Sequence, residues 1–371
     1  MRLSCGVKLS GVFPMINIKK LHFFPIFMLF FSCMEPVDEG LWSIDQKELF
    51  DTQGFCRNVS VSGNKAFVAA GQAGVQVWDL NSGNKLHEYQ GYSQDGSYIE
   101  FDDISIVQRD SVNDLIFVTE SNKKVKIFYF GDSSEFIYRN EIMSDRTKDY
   151  ISFPSSNNTF TMYVADNDDG LKWGTYRSDT TVVFNLEIIN WMPTIGGELL
   201  TDGKPLGIDA TRSFPLRNDN DIVAMAVDQL GVEFYNLVYD LSDENSGGEP
   251  SFLSKFDLDG NAEQVSITDD GAYIACDDFG AYFISLESIR TGEGVAVSFA
   301  EDLTVDHVSV KSNVAVLSLG SRGLALYDVS NPLSPISKGI FDVGYVYKTY
   351  FWGDHILICT RSGLQVSKIK Y

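Results

Sequence analysis

The chain has 371 residues, with 51 Asp and Glu against 29 Lys and Arg and a formal net charge of −22. A surface this acidic repels phosphate backbones and anionic lipid, which argues against nucleic-acid binding. Aromatic residues at 13 %, with 31 Gly and 10 Pro, suit many short strands joined by tight turns, and no window carries a long amphipathic helical period, so an all-β chain is expected.

The first element is an export signal. Lys19 and Lys20 precede the apolar run Leu21–Phe31, which is shorter than the about 20 residues a spanning helix takes. A positive start before a short apolar core reads as a secretory signal. The run ends at Leu29-Phe30-Phe31-Ser32-Cys33, where Phe30 does not suit ordinary signal peptidase. Ser32-Cys33 resembles a bacterial lipobox, in which the Cys is lipidated and becomes the first mature residue, although Phe30 and Phe31 are bulkier than its usual residues. That resemblance implies a signal over 1–32, lipidation at Cys33, an acidic tether over 33–40 and a cell-envelope location, at the outer membrane or cell surface of a bacterium. A plain signal or an uncleaved anchor are the alternatives, and Met15 is an alternative start. Cleavage before Cys33 removes Arg2, Lys8, Lys19 and Lys20 and no acidic residue, taking the net charge from −22 to −26.

From residue 55 onward one pattern recurs: an apolar strand, a Gly-bearing turn, and a second strand running apolar–x–apolar. Its clearest copies are Ala66–Asp79 and Ala315–Asp328. Anchored on the residue before the second strand, the repeats fall at Gly74, Lys124, Gly170, Gly231, Gly280, Gly323 and Gly363. Their spacing of 40 to 61 residues brackets the roughly 40–50 residues of a four-stranded propeller blade. The copy at Lys124 lacks the turn glycine but keeps the alternating strand that follows. The expectation is a β-propeller of seven four-stranded blades in a single domain over 41–371, with six or eight blades as alternatives. The last repeat has room for only three strands, about 345–351, 355–360 and 364–370, so residues 41–50 are expected to pair with it as the missing fourth and close the ring.

Gly323-Leu324-Ala325-Leu326-Tyr327-Asp328-Val329-Ser330-Asn331-Pro332 resembles the LVIVD repeat of bacterial and archaeal cell-surface proteins, and Val75-Gln76-Val77-Trp78-Asp79 is a looser copy. The resemblance implies a β-propeller and no common catalytic activity. Asp79 and Asp328 are expected to close the following turns by accepting backbone hydrogen bonds.

In a propeller, the turns between second and third strands and the crossovers to the next blade emerge on one face, where binding is expected. Those turns carry Gln72, Asn122, Asp166, Asp168, Asp169, Asp228, Asp277, Asp278, Arg322 and Arg361. Two stretches read as long aromatic crossovers onto that face: 91–103 with Tyr92, Tyr98 and Phe101, and 190–205 with Trp191. Asp166, Asp168 and Asp169 are the one place where clustered carboxylates could hold Ca²⁺, but the EF-hand spacing is missing and an ordinary turn explains them. No other cofactor is implied. The mature chain has His87, His307 and His355 without metal-ligand spacing, and no G-x-S-x-G, phosphate-binding Gly-Lys loop or C-x-x-C-H. Cys56, Cys276 and Cys359 read as small buried residues, Cys276 and Cys359 being equivalent positions in blades too far apart to bridge.

The expected function is a lipid-anchored, non-catalytic, monomeric propeller that binds a protein or glycan at the cell envelope. A propeller hydrolase or lyase using acidic turn-face residues, and a structural scaffold in an envelope complex, are the alternatives.

Overall fold

A computed structural model describes residues 40–131, 135–142, 144–156, 158–183, 186–211, 221–240, 242 and 247–371. The signal segment, Cys33 and the tether up to residue 39 lie outside the described residues. Seven four-stranded antiparallel sheets follow one another along the chain. Blade 1 is built from 58–62, 65–69, 75–79 and 85–89; blade 2 from 104–110, 115–120, 125–130 and 136–141; blade 3 from 147–156, 159–166, 170–183 and 186–199. Blade 4 uses 207–211, 222–226, 232–238 and 249–256; blade 5 uses 264–268, 271–275, 281–285 and 297–299; blade 6 uses 307–311, 314–318, 324–328 and 336–341. Blade 7 takes 346–352, 355–360 and 363–370, and its outermost strand is Ser43–Phe50 from the other end of the domain. That strand runs antiparallel to the C-terminal one, from Ser43 opposite Lys370 to Phe50 opposite Leu364. The first strands of successive blades are neighbours in a closed ring, blade 7 meeting blade 1. All-β architecture with seven blades is therefore the fold. Among the described residues, no helix is long and apolar enough to cross a membrane.

The second and third strands of the blades are buried on both faces, apart from the exposed stretch of blade 3's third strand beyond Tyr176, so they read as continuous apolar runs such as Phe67-Val68-Ala69 and Val314–Ser318. Seven apolar clusters result, each filling the gap between two neighbouring blades. Cys56, Cys276 and Cys359 are free thiols buried in these gaps. Polar turns separate the strands. Asp79 Oδ1 accepts from the Asn81 and Ser82 amides at 3.0 and 2.8 Å, and Asp328 Oδ1 from the Ser330 amide at 3.0 Å. The Ser82 and Ser330 amides are the largest influences holding these two carboxyls below their ordinary values.

Candidate functional site

The turns between second and third strands share one face with the incoming crossovers. Backbone bridges join Gly71 to Ile104, Asp228 to Ala262, Asp277 to Val305 and Gly320 to Val346, each linking one blade's turn to the next blade's entry. At the bridging position the backbone is left-handed: Gly71 has φ 57°, Gly320 54°, Asp228 40° and Asp277 47°. Asp228 and Asp277 thus do the backbone work that glycine does in the LVIVD-like copies, as Asp tolerates this region better than most residues.

The sequence-expected binding residues divide sharply. Asp278, Arg322 and Arg361 are exposed on the turn face, as is Asp168. Tyr92 and Phe101 are not: both are 6 % exposed and packed with Phe128, at 5.3 and 5.9 Å between ring centroids. The 91–103 stretch is a β-hairpin, Gly91–Gln94 against Ser97–Glu100, turned by Asp95-Gly96 with positive φ at both residues. It lies on the outermost strand of blade 2, and of its expected binding aromatics only Tyr98 is exposed. Trp191 is a second correction. Residues 190–199 are no crossover but part of the outermost strand of blade 3, and Trp191 is 3 % exposed against Phe160. Its peptide is clamped by Asn140, whose amide donates to the Trp191 carbonyl at 2.7 Å and accepts from its N–H at 3.0 Å.

Asp166 is equally structural. It is fully buried, and its carboxylate accepts from the Ser144 hydroxyl at 2.7 Å and from the amides of Asp145, Arg146, Asp168 and Asp169. Burial works to raise its pKa, but the Ser144 hydroxyl and the turn amides outweigh it and hold the group below its ordinary value. Asp168 pairs with Arg146 at 3.3 Å and Asp169 with Lys172. Among the described residues, no three His, Cys, Asp or Glu side chains are gathered as for a metal ion.

Two features of this face were not visible in the sequence. The first is an aromatic–guanidinium cluster at the junction of blades 7 and 1. The Arg57 guanidinium lies 4.7 Å from the Tyr347 ring centroid and 5.4 Å from that of Phe55. Arg361 lies 3.9 Å from the Tyr345 ring and 5.8 Å from Phe55, and Tyr345 and Tyr347 are 4.8 Å apart. Arg57 also reaches Asp103 at 3.3 Å, while its buried Nε has no hydrogen-bond partner among the described residues. Phe55 is 45 % exposed at the centre of the group. The second is an acidic arc over blades 4 to 6, where Glu263 and Asp306, at the entries of two innermost strands, face Asp277, Asp278 and Asp228. Burial, then Asp277 and Asp306, raise Glu263; burial, then Asp277 and Asp278, raise Asp306 to about 6. The face is therefore polarised, with a cationic aromatic patch on one sector and carboxylates on another.

Behind the face lies the central channel, a cavity of about 450 Å³ lined by the innermost strands of all seven blades. Many of its polar side chains are spent on the backbone or side chains of a neighbouring blade. Asn58 Oδ1 accepts from the Val107 amide at 3.2 Å, Gln108 Oε1 from Ser152 at 3.0 Å, Asp209 Oδ2 from Ile267 at 2.8 Å and Gln264 Oε1 from Val308 at 3.3 Å. Ser309 meets Thr349 at 2.8 Å, and the Asn58 amide donates to the Tyr350 hydroxyl at 2.6 Å, so blade-to-blade bonds run from 6 to 7 and from 7 to 1. Lys348 spans the ring to Asp149 at 3.7 Å. Such a belt fixes blade order from inside.

Burial, then the Asp149 charge, raises Asp209 to about 7 despite two backbone amides that favour its ionised form. A carboxyl whose folded pKa exceeds its unfolded value destabilises the fold when ionised, and the cost is relieved as pH falls through the folded value. Asp209→Asn should therefore gain roughly 2–3 kcal/mol on wild type between pH 5 and pH 8. Thermal melts at both pH values read this difference, and a wild-type-to-variant gap that does not change with pH rejects it. His307, which burial and then Lys348 hold well below its ordinary value, is present in both proteins and cancels in the comparison.

Comparison with known proteins fits this architecture. The LVIVD repeat model matches residues 53–82 and 304–343, that is, blades 1 and 6. No curated protein matches the chain. Among solved structures, the RRP9 WD40 repeats share 12 % identity over 89 % of this chain and 98 % of that one, with a TM-score of 0.60. Sqt1 of Saccharomyces cerevisiae shares 11 % over 85 % and 83 % with a TM-score of 0.57. The computationally designed Ika8 protein shares 12 % over 88 % and 99 % with a TM-score of 0.55. At these identities the likeness is one of fold. The chain is a seven-bladed β-propeller that carries LVIVD repeats.

Proposed function

We propose that this protein is a non-catalytic docking scaffold, held at the bacterial cell envelope by a lipid on Cys33, whose turn face binds a protein. The observation that carries this reading is the cluster of Phe55, Arg57, Tyr345, Tyr347 and Arg361. Aromatic and arginine side chains that are exposed or half-exposed and stacked on one another are the residue types that dominate protein interfaces. In a chain of net charge −22, two arginines converging on one sector give the face a direction: a partner docks acidic or aromatic groups there and basic groups on the Glu263–Asp306 arc. WD40-type neighbours in fold support a scaffold role. The absence from the sequence of a Ser–His, metal or phosphate-binding motif supports binding over catalysis.

The test is cross-linked capture from envelope extract by wild type, by a Phe55→Ala, Arg361→Glu double variant, and by a control changed at exposed Tyr98. The double variant should lose at least ten-fold of the captured partner, whereas the control keeps it. Equal capture by all three defeats the choice of sector. In cells, Cys33→Ser should lose fatty-acid label and leave the membrane fraction; a labelled Cys33→Ser protein overturns the anchor.

A further inference from the structure

The seam where the chain's two ends meet holds two of the three described cysteines. Cys56 lies on the entry to blade 1, directly after the strand that completes blade 7, and Cys359 lies in the second strand of blade 7. Both side chains are 0 % exposed and belong to one apolar cluster with Phe50, Val68, Leu357 and Leu364. The Cys56 amide donates to the Thr360 carbonyl at 3.1 Å. A backbone hydrogen bond to the residue next to Cys359 sets the two main chains side by side, and both side chains turn into the same cluster, the arrangement from which a disulfide, with its Cα atoms about 4.4–6.8 Å apart, can close. Tyr350 packs against the same cluster. Cys276 sits instead in the gap between blades 4 and 5, among Phe256, Leu258 and Ala262.

We propose that Cys56 and Cys359 are a disulfide-forming pair that staples the first blade to the last, filled by exchange with a dithiol–disulfide oxidant of the kind found outside the cytoplasm. One cysteine thiolate attacks a sulfur of the oxidant's disulfide, breaking that S–S bond and releasing one oxidant thiol. The second cysteine, losing its proton, attacks the mixed disulfide and expels the other oxidant sulfur as a thiol. Two electrons and two protons pass from the protein to the oxidant, and one S–S bond replaces another. Burial, then the adjacent Cys359, pushes the Cys56 thiol well above its ordinary value. In the closed ring Cys56 is therefore protonated and dry, a poor nucleophile. Exchange belongs to folding, before the ring shuts, or to transient opening of the seam. Once formed, the bond encloses nearly the whole propeller in one covalent loop, the geometry in which a cross-link constrains the unfolded chain most.

The full chain in detergent is denatured, then refolded in a reduced/oxidised glutathione buffer or in excess reductant, and each product is alkylated and digested without reduction. Oxidative refolding should yield a peptide pair linking Cys56 to Cys359, absent from the reductant arm, and a melting midpoint raised by several degrees that reverts on reduction. Cys276→Ser should keep the linked pair. Cys56→Ser should abolish both the pair and the redox-dependent shift. Three alkylated domain cysteines after oxidative refolding, or Cys276 linked to either partner, overturns the proposal. This readout is independent of where the protein resides and of what its turn face binds.

Discussion

Removal of residues 41–50 should unfold the propeller or lower its melting midpoint by on the order of 10 °C, although most of these side chains are exposed. The strand they form is the outermost of blade 7, and without it the C-terminal strand Gly363–Lys370 becomes a bare edge. Two anchors go with it. Phe50 is 2 % exposed and stacks on Trp78 of blade 1 at 5.2 Å, so it bridges the seam between the ring's ends. Trp42 meets Tyr371 edge-on at 4.8 Å, and its amide donates to the Lys338 carbonyl of blade 6 at 3.0 Å. Truncating a buried Phe alone costs about 3–5 kcal/mol, a large share of the roughly 5–15 kcal/mol typical of a folded domain. Phe50→Ala should then reproduce a third to a half of the deletion's effect. Adding a peptide of residues 41–50 to the truncated domain should restore part of the midpoint, because the vacated edge offers its ladder in the same register. A truncated domain that melts within about 2 °C of wild type and stays monomeric would show that the ring closes without this strand.

This closure was readable because a missing strand is an arithmetical defect: three strands at one end and a spare at the other. Blade number was readable for a similar reason, since each blade leaves one turn at a fixed place. Local composition hides the outermost strand of blade 3. Trp191-Met192-Pro193-Thr194-Ile195-Gly196-Gly197 reads as loop because Pro and paired Gly interrupt strands. In the structure Pro193 sits beside a register shift on an outermost strand, where a missing N–H costs no ladder bond, and Gly196 faces Gly174 so closely that a Cβ would lie 2.7 Å from the Trp173 carbonyl. The strand is 14 residues long where its counterparts in other blades have 3 to 8, so spacing drawn from the other blades misplaced Trp191. The 91–100 hairpin carried a legible signal in Asp95-Gly96, a dipeptide suited to a tight turn with φ positive at both positions. The polarised face had no such signal. Phe55 and Arg57 meet Tyr345, Tyr347 and Arg361 only because the ring brings the chain's ends together, and Glu263 meets Asp306 only across a blade boundary.

Gly323→Ala should cost roughly 2–4 kcal/mol, from left-handed backbone plus the displacement of a neighbouring strand. Gly323 has φ 82°, and a Cβ at this position would lie 2.1 Å from the Phe341 carbonyl, at the end of the blade's outermost strand. The same two conditions hold at the other glycine anchors. A Cβ would lie 2.1 Å from the Tyr89 carbonyl at Gly74, 2.0 Å from Phe256 at Gly231, 2.4 Å from Ala300 at Gly280 and 2.1 Å from Phe50 at Gly363. In every blade but the second, where Lys124 takes this place, the end of the outermost strand rests on a glycine that has no side chain to push it away. The Phe50 case shows the N-terminal strand occupying the position that a blade's own fourth strand holds elsewhere. Gly344 separates the two costs, since it has the same φ of 82° but no atom within 4 Å of where a methyl group would stand. Gly344→Ala should therefore cost only the backbone part, about 1 kcal/mol. Denaturant titrations of both variants against wild type give the comparison. Equal losses at the two positions would mean that backbone strain alone explains the repeating glycine, and that contact with the outermost strand contributes nothing.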